Sequence, residues 1–430
     1  MAEQSILFYV SSLAIILLIA IIKYKAINVS ITSLFLYFIA GLTSLYYFYN
    51  ANYDFTHITI YPIIFALCCT LILFIPIIKY DNVNNKTLAN NVGISKYMHQ
   101  VIVFFALLSV EPLLENIIHL PFVIRNQNML ADIYDSRIGG NNNNYEYLSW
   151  VGRKLFWINF LLKDLFPVFL FYYIAKAEHL NKKIIIGLIF GILNPVIHGF
   201  ALGGRSVTIS TTFYIIFVYM LFRQYISTNR SKYIDRIIFY FILCIMALIT
   251  IVTIARFMSK ESSIDIWTWI SLYSGEGILN FSNELWTITD VRSNGDNTFL
   301  FIRYILGLTD NTDIESLRAS RNIFNIRPQV FYTYLGAIYF DFNRIGTIIY
   351  VVIFSYIFCK ICKIKKQTVQ LSQMIYLSIL GKFIVLGFMI HTYSLWTDQL
   401  SLFFVLLFNW TISFKEKNKR KNIKMMIKQY

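Results

Sequence analysis

Along this chain, apolar residues gather in long runs separated by polar connections. The runs cover Ser5–Ile22, Val29–Tyr49, Ile58–Ile78, Met98–Ile118, Trp157–Ala175, Ile184–Leu202, Ser206–Phe222, Ile237–Ala255, Ile345–Phe358, Gln370–Met389 and Leu400–Ser413. Most span about 17–25 residues, long enough to cross a bilayer core as a helix. The pattern predicts an all-α polytopic membrane protein with about 11 transmembrane helices, forming one integral membrane domain over residues 1–430. The first run has Glu3 before it and Lys23-Tyr24-Lys25 after it, with no small-residue cleavage site, so it reads as a retained span.

Every second connection is Lys-rich. These are Lys23/Lys25, Lys79/Lys86/Lys96, Lys176/Lys182/Lys183, Arg223/Arg230/Lys232/Arg236 and Lys360/Lys363/Lys365/Lys366, followed by a basic tail over 414–430. With eleven spans all six fall on one side, which the positive-inside rule makes cytoplasmic, with the N-terminus outside. Two connections on the outer side are long, at about 125–155 and 256–344. The second carries Trp267, Trp269 and Trp286 among polar residues, and short amphipathic helices are expected in it near Ile264–Tyr273 and Phe299–Leu308.

Composition agrees with the pattern. Charged residues are 14% of the chain and hydrophobic ones 57%, too few charges to cover a water-exposed surface. The net charge of +15 changes meaning once it is sorted by side. The inner segments hold nineteen Lys and four Arg, whereas the outer side holds eleven Arg: Arg125, Arg137, Arg153, Arg205, Arg256, Arg292, Arg303, Arg318, Arg321, Arg327 and Arg344. Guanidinium grips phosphate or carboxylate as a rigid fork, whereas ammonium is a mobile point charge. As a set, the outer Arg residues point to an anionic ligand; singly, each could pair with an outer acid or a lipid headgroup. Nucleic acid is not an expected partner.

Arg205 stands in Gly203-Gly204-Arg205-Ser206, between two spans joined almost without a loop, and His198 lies seven residues earlier. That spacing is about two helical turns and allows a shared face. Glu111, Glu115 and His119 share another face, while Lys382, His391 and Asp398 mark the tenth span and its exit. The cysteines read as apolar packing, with Cys359 and Cys362 lacking a second ligand pair, and no metal is expected. No nucleotide-binding or serine-hydrolase motif occurs and no cofactor is expected, so a ligand must bring its own energy or move down a gradient.

Two stretches carry a family resemblance. One is Gly203-Gly204-Arg205-Ser206. The other runs Thr333-Tyr334-Leu335-Gly336-Ala337-Ile338-Tyr339-Phe340-Asp341-Phe342-Asn343-Arg344-Ile345-Gly346. With the two long outer loops, they resemble the Wzy-type polymerases of O-antigen and capsular polysaccharide, whose pattern T-x-L-G-x-x-Y-x-D-F-G-x-x-G has Gly where this chain has Asn343. The resemblance implies a GT-C-like helical bundle with two periplasmic loops in a bacterial inner membrane. It implies a glycosyltransferase that joins undecaprenyl-diphosphate-linked oligosaccharide repeat units, with a chain-length regulator and a flippase as partner proteins. An O-antigen ligase shares the donor. A flippase or other transporter would instead show broken midplane helices and charges deep in the bundle.

Breaking the sugar–phosphate bond leaves negative charge on the diphosphate, which preorganised Arg donors can stabilise. Arg205 and Arg256, with one or more of Arg303, Arg318, Arg321 and Arg327, are the candidates. The attacking hydroxyl needs a general base, for which His391, Glu276 and Asp341 compete. His198 could line the same site or be a structural histidine. Trp267 and Trp269 could stack on sugar rings or anchor at the membrane interface.

Overall fold

The structure is a computed structural model that describes the backbone of residues 1–89, 93–125, 148–201, 206–259, 266–288, 293, 295–309, 331–364 and 367–429. Side chains are described for the same residues except 120–125, 201, 206, 244–246, 248–259, 266, 269 and 417–429.

A bilayer offers no partner to a backbone N–H or C=O, so apolar runs close their hydrogen bonds internally as helices. The described chain is accordingly helical: α1 Ala2–Tyr24, α2 Val29–Asn50, α3 Ile60–Asp81, α4 Lys96–Leu108, α5 Val110–Arg125, α6 Trp150–Leu161, α7 Leu165–Lys176, α8 Lys182–Ala201, α9 Ser206–Phe222, α10 Thr228–Ser259, α11 Ile266–Asn283, α12 Leu300–Ile305, α13 Thr333–Ile361, α14 Leu371–Leu386 and α15 Trp396–Gln429. Local chemistry sets several starts. The Asn28 side chain accepts from the Ile31 amide, Ser95 from Met98 and Ser149 from Gly152, while Gln370 and Gln373 form a reciprocal cap on α14.

Among the described residues, seven helical stretches are long and apolar enough to cross a membrane, with α4 and α5 taken as one, and the bent pair α6–α7 is an eighth if it is counted as one broken span. Their outward faces are bare hydrocarbon: Ile19, Ile22, Ile118, Ile349 and Ile353 are all exposed. The polar positions turn inward. On α2 the buried residues include Ser30, Ser33, Gly41 and Ser44 beside Ile31, Leu34, Tyr37 and Tyr47, so small polar groups are kept from lipid. This is an all-α polytopic membrane protein. Helices also occupy the remaining expected stretches, in α10, in α14 with only 16 residues, and in α15.

Two elements differ from the sequence expectation. The run Trp157–Ala175 is not one straight helix: α6 and α7 meet at a 73° bend, with the break at residues 162–164. The helix expected near Ile264–Tyr273 is the first half of α11; its first turns keep Trp267 and Ile270 exposed opposite buried Thr268 and Ser271, but the helix continues to Asn283 and packs along α2. Gly275 allows the close packing: a Cβ there would stand 2.6 Å from the carbonyl of Thr43, so only glycine lets the two backbones meet at Thr43 and Ser44.

Hydrogen bonds gather all six basic segments at one end. Tyr24 donates to Asn82 at 3.0 Å, and β1 (Thr87–Leu88) pairs in parallel with β2 (Thr368–Val369). Lys176 donates to the Leu88 carbonyl at 3.1 Å, Arg230 donates to Ile174, Ala177 and Glu178 carbonyls, and Glu416 accepts from Leu371 and Ser372. The turns after α2, α11 and α14 meet at the opposite end, along with the start of α13.

Candidate functional site

The opposite end is organised by residues 331–334. Phe331 donates its amide to Glu276 at 3.0 Å, and Asn280 donates to the Phe331 carbonyl at 3.1 Å, tying the strip to α11. On its other side the amide of Thr333 donates to Met389 and that of Tyr334 to Gly387, at 3.0 and 2.7 Å. Gly277 lets the layers close, since a Cβ there would lie 2.6 Å from the Phe388 carbonyl. Glu276, 2% exposed, therefore stands on one side of the strip, and the turn leading to His391 stands on the other.

The fourteen-residue stretch that begins within this strip repeats one device. Thr333 and Asn343 both take left-handed φ, 62° and 57°. Each throws the preceding aromatic side chain, Tyr332 or Phe342, against the glycine three residues on, Gly336 or Gly346, where a Cβ would collide. At Asn343 the pair φ 57°, ψ −169° lies in a region nearly confined to glycine, and it kinks α13. Asn343→Gly is expected to be at least as stable as the wild type, whereas Asn343→Val should lose about 2 kcal/mol. Thermal unfolding of both variants in detergent micelles checks this.

Asp341, just before the kink, is 2% exposed and fully engaged. Its carboxylate accepts from the Ser293 hydroxyl, the Asn297 amide at 3.1 Å, the Asn297 side chain at 2.9 Å and the Thr298 amide at 2.7 Å. Those bonds make it the anchor of the 293–298 turn. A carboxylate with both oxygens so occupied is poorly placed to take a proton from a substrate. Arg303 is likewise engaged, donating through Nε to Asp296 at 2.6 Å and through an Nη to the Leu308 carbonyl at 3.1 Å.

His391 lies in the turn between α14 and α15, 4% exposed, edge-on to Phe383 at 5.0 Å. Both ring nitrogens are buried, and a hydrogen bond with the residue's own backbone partly offsets that burial. Burial pushes its imidazole down to about 4, so the ring is neutral near pH 7 and a weaker base than an exposed imidazole. The residues after it join three neighbours. Thr392 donates to the Lys382 carbonyl at 3.3 Å, and Gln399 donates to Tyr393 at 2.8 Å while accepting from the Phe301 amide at 2.8 Å.

The break between α6 and α7 faces this loop with charge. Lys382 of α14 bonds both oxygens of Asp164, at 2.8 and 2.9 Å, and the pair is 8% and 6% exposed. Lys163 meets Asp398, in the first turn of α15, at 2.8 Å. Tyr214 donates to the Asp164 carbonyl at 2.7 Å. Sequence reading singled out Lys382 and Asp398 but missed their partners; the signal was the Lys163-Asp164 doublet inside an apolar run.

The other predicted residues scatter. His198 is buried on α8 with its ring 4.4 Å from that of Phe156, in a seam where Asn116 donates to Asn194 at 2.8 Å. Glu115 accepts from the Ser149 amide and so caps the approach to α6. Trp267 is exposed at the start of α11. Trp286 is enclosed by Phe65, Phe281 and Tyr339, and Arg344 lies 4.1 Å above its ring. Arg205, Arg318, Arg321 and Arg327 lie outside the described residues, as do the side chains of Arg256 and Trp269. The structure thus gathers Glu276, Asp341, Arg303 and His391 around one end of the bundle.

Fold and site together define a membrane-embedded helical protein with a buried, charge-balanced polar hub at the end away from its basic segments. In comparisons with known proteins, no family model, curated protein or solved structure matches this chain.

Proposed function

We propose that this protein is a glycosyltransferase of the Wzy type, polymerising undecaprenyl-diphosphate-linked repeat units at the outer face of a bacterial inner membrane, with eleven crossings in a GT-C-like bundle. One observation carries the reading: residue 343 holds a backbone conformation suited to glycine, where the family pattern has glycine and this chain has Asn. Asp341 and both flanking glycines of the same pattern also have tasks that explain their residue types. In this reading the outer Arg residues, led by Arg205 and Arg256, receive the diphosphate. Neutral His391 is the favoured general base, with Glu276 next. No nucleotide is required, because the sugar–diphosphate bond supplies the energy.

A transporter of lipid-linked oligosaccharide is the second reading, favoured by the 73° break between α6 and α7 with ion pairs at it. An O-antigen ligase is the third. Deleting the gene in a producing strain separates them. Single repeat units without a ladder support the polymerase, long unattached polymer supports the ligase, and stalled lipid-linked units with neither product support the transporter. In the complemented strain, Arg205→Ala and His391→Ala are each expected to abolish the ladder; a normal ladder removes that residue from the mechanism.

A further inference from the structure

Arg344 carries a charge that no carboxylate among the described residues pairs with. It is the first residue beyond the Asn343 kink of α13, and it is exposed. Two acids flank it in the segments it joins, and both are engaged elsewhere. Asp341 anchors the 293–298 turn, and Glu284 accepts from the hydroxyls of Tyr53 and Tyr332. The guanidinium is nevertheless held in one place. The Trp286 ring lies 4.1 Å from it, the Trp286 carbonyl accepts from an Nη at 3.0 Å, and the Tyr339 hydroxyl accepts from Nε at 3.3 Å. Trp286 is itself wedged among Phe65, Phe281 and Tyr339, so packing fixes the platform. These contacts leave most of the guanidinium N–H donors open. A fork held on an aromatic ring, exposed and without a counter-ion, is suited to a phosphate oxyanion.

The helix beyond Arg344 decides which phosphate. From there α13 turns Ile345, Ile348, Ile349, Val352 and Ile353 outward, and Ile345 is 76% exposed. Steps of three and four put them on one face. The buried positions Thr347, Val351 and Ser355 lie on the other, where Ser355 donates to the Ile72 carbonyl of α3 at 2.7 Å. At 1.5 Å per residue the outward ridge is about 12 Å long, close to the ~15 Å hydrocarbon depth of one leaflet. A free phosphate would meet the guanidinium alone, whereas a phospholipid would also lay an acyl chain along the ridge. An ethanolamine headgroup would bring an ammonium to a place where Asp341 and Glu284 are already engaged. A glycerol headgroup brings only hydroxyls and leaves one net negative charge to match one cation.

We propose that Arg344, on its platform of Trp286 and Tyr339, binds the phosphate of a phosphatidylglycerol-type lipid whose acyl chain lies along the Ile345–Ile353 ridge. The site faces the bilayer, which sets it apart from the Arg residues assigned to the diphosphate. It stands whether or not the polymerase reading holds.

The test uses the full-length chain in nanodiscs of phosphatidylcholine, with and without phosphatidylglycerol. Lipids retained on release into detergent are counted by native mass spectrometry. Arg344→Gln, and Arg344→Met with a chain able to cover the Trp286 ring, are each expected to bind phosphatidylglycerol about tenfold more weakly than the wild type, as the loss of charge-assisted hydrogen bonds requires. Lipid held at the basic end is common to all three proteins and cancels. Arg344 also bonds the Trp286 carbonyl, so the thermal midpoint in phosphatidylcholine alone reads its structural part. The further rise that phosphatidylglycerol gives reads the lipid, and it should be present in the wild type and lost in both variants. Equal retention and an equal rise in all three proteins overturn the proposal. So does displacement of the lipid by inorganic phosphate, or by an equimolar polyprenyl diphosphate, which would assign the site to a different anion.

Discussion

Lys382→Met is expected to lower the unfolding free energy by about 3–5 kcal/mol, because it leaves Asp164 buried and unpaired. The carboxylate of Asp164 is 6% exposed and receives both of its short contacts from Lys382, so no water-facing rearrangement is open to it. Either the carboxylate takes up a proton or the 162–164 break opens. The double variant Lys382→Met with Asp164→Leu should recover most of the loss, since an apolar pair of similar volume is often as stable as a buried ion pair. Thermal or denaturant unfolding in detergent reads all three proteins. If the single variant melts with the wild type, the pair does not hold the break in place.

The second large effect is expected at Gly275. Gly275→Val forces α11 away from the main chain of Thr43 and Ser44, and should cost about 2 kcal/mol or more. Adding Ser44→Gly should give no rescue, because the colliding atoms belong to the backbone and not to the serine side chain. Glu276 would move with the helix, loosening its bond to Phe331. Proteolysis after the 331–334 strip should therefore accelerate in the Gly275→Val protein, and an unchanged cleavage rate would argue against the coupling.

The apolar runs were legible because a bilayer allows one backbone solution, and the helices stand where hydropathy puts them. The basic connections were legible for a similar reason: charge sorts by side, and the hydrogen bonds bring all six to one end. The broken span was not. Lys163 and Asp164 are tolerable within a helix by local propensity, and what marks the break is Lys382 and Asp398, more than two hundred residues later. The depth of α11 escaped for the converse reason. Exposed Trp267 and Ile270 give its first turns a surface character, and only the contact at Gly275 shows that the rest is interior. Asp341 was legible as a motif residue, but its partners are backbone amides and two polar side chains of a turn some forty positions earlier, which no local spacing announces.

The two ion pairs at the break have a consequence for how the protein meets the membrane potential. A single elementary charge moved across the field changes in energy by about 2.3 kcal/mol per 100 mV. Lys163 and Asp164 in the α6–α7 break, Lys382 of α14 and Asp398 of α15 sum to zero and are held in two ion pairs. If α6, α14 and α15 shift together, the quartet carries no gating charge, and such a movement costs the same in an energised cell as in a depolarised vesicle. A movement that parts Lys382 from Asp164 would be driven or opposed by voltage.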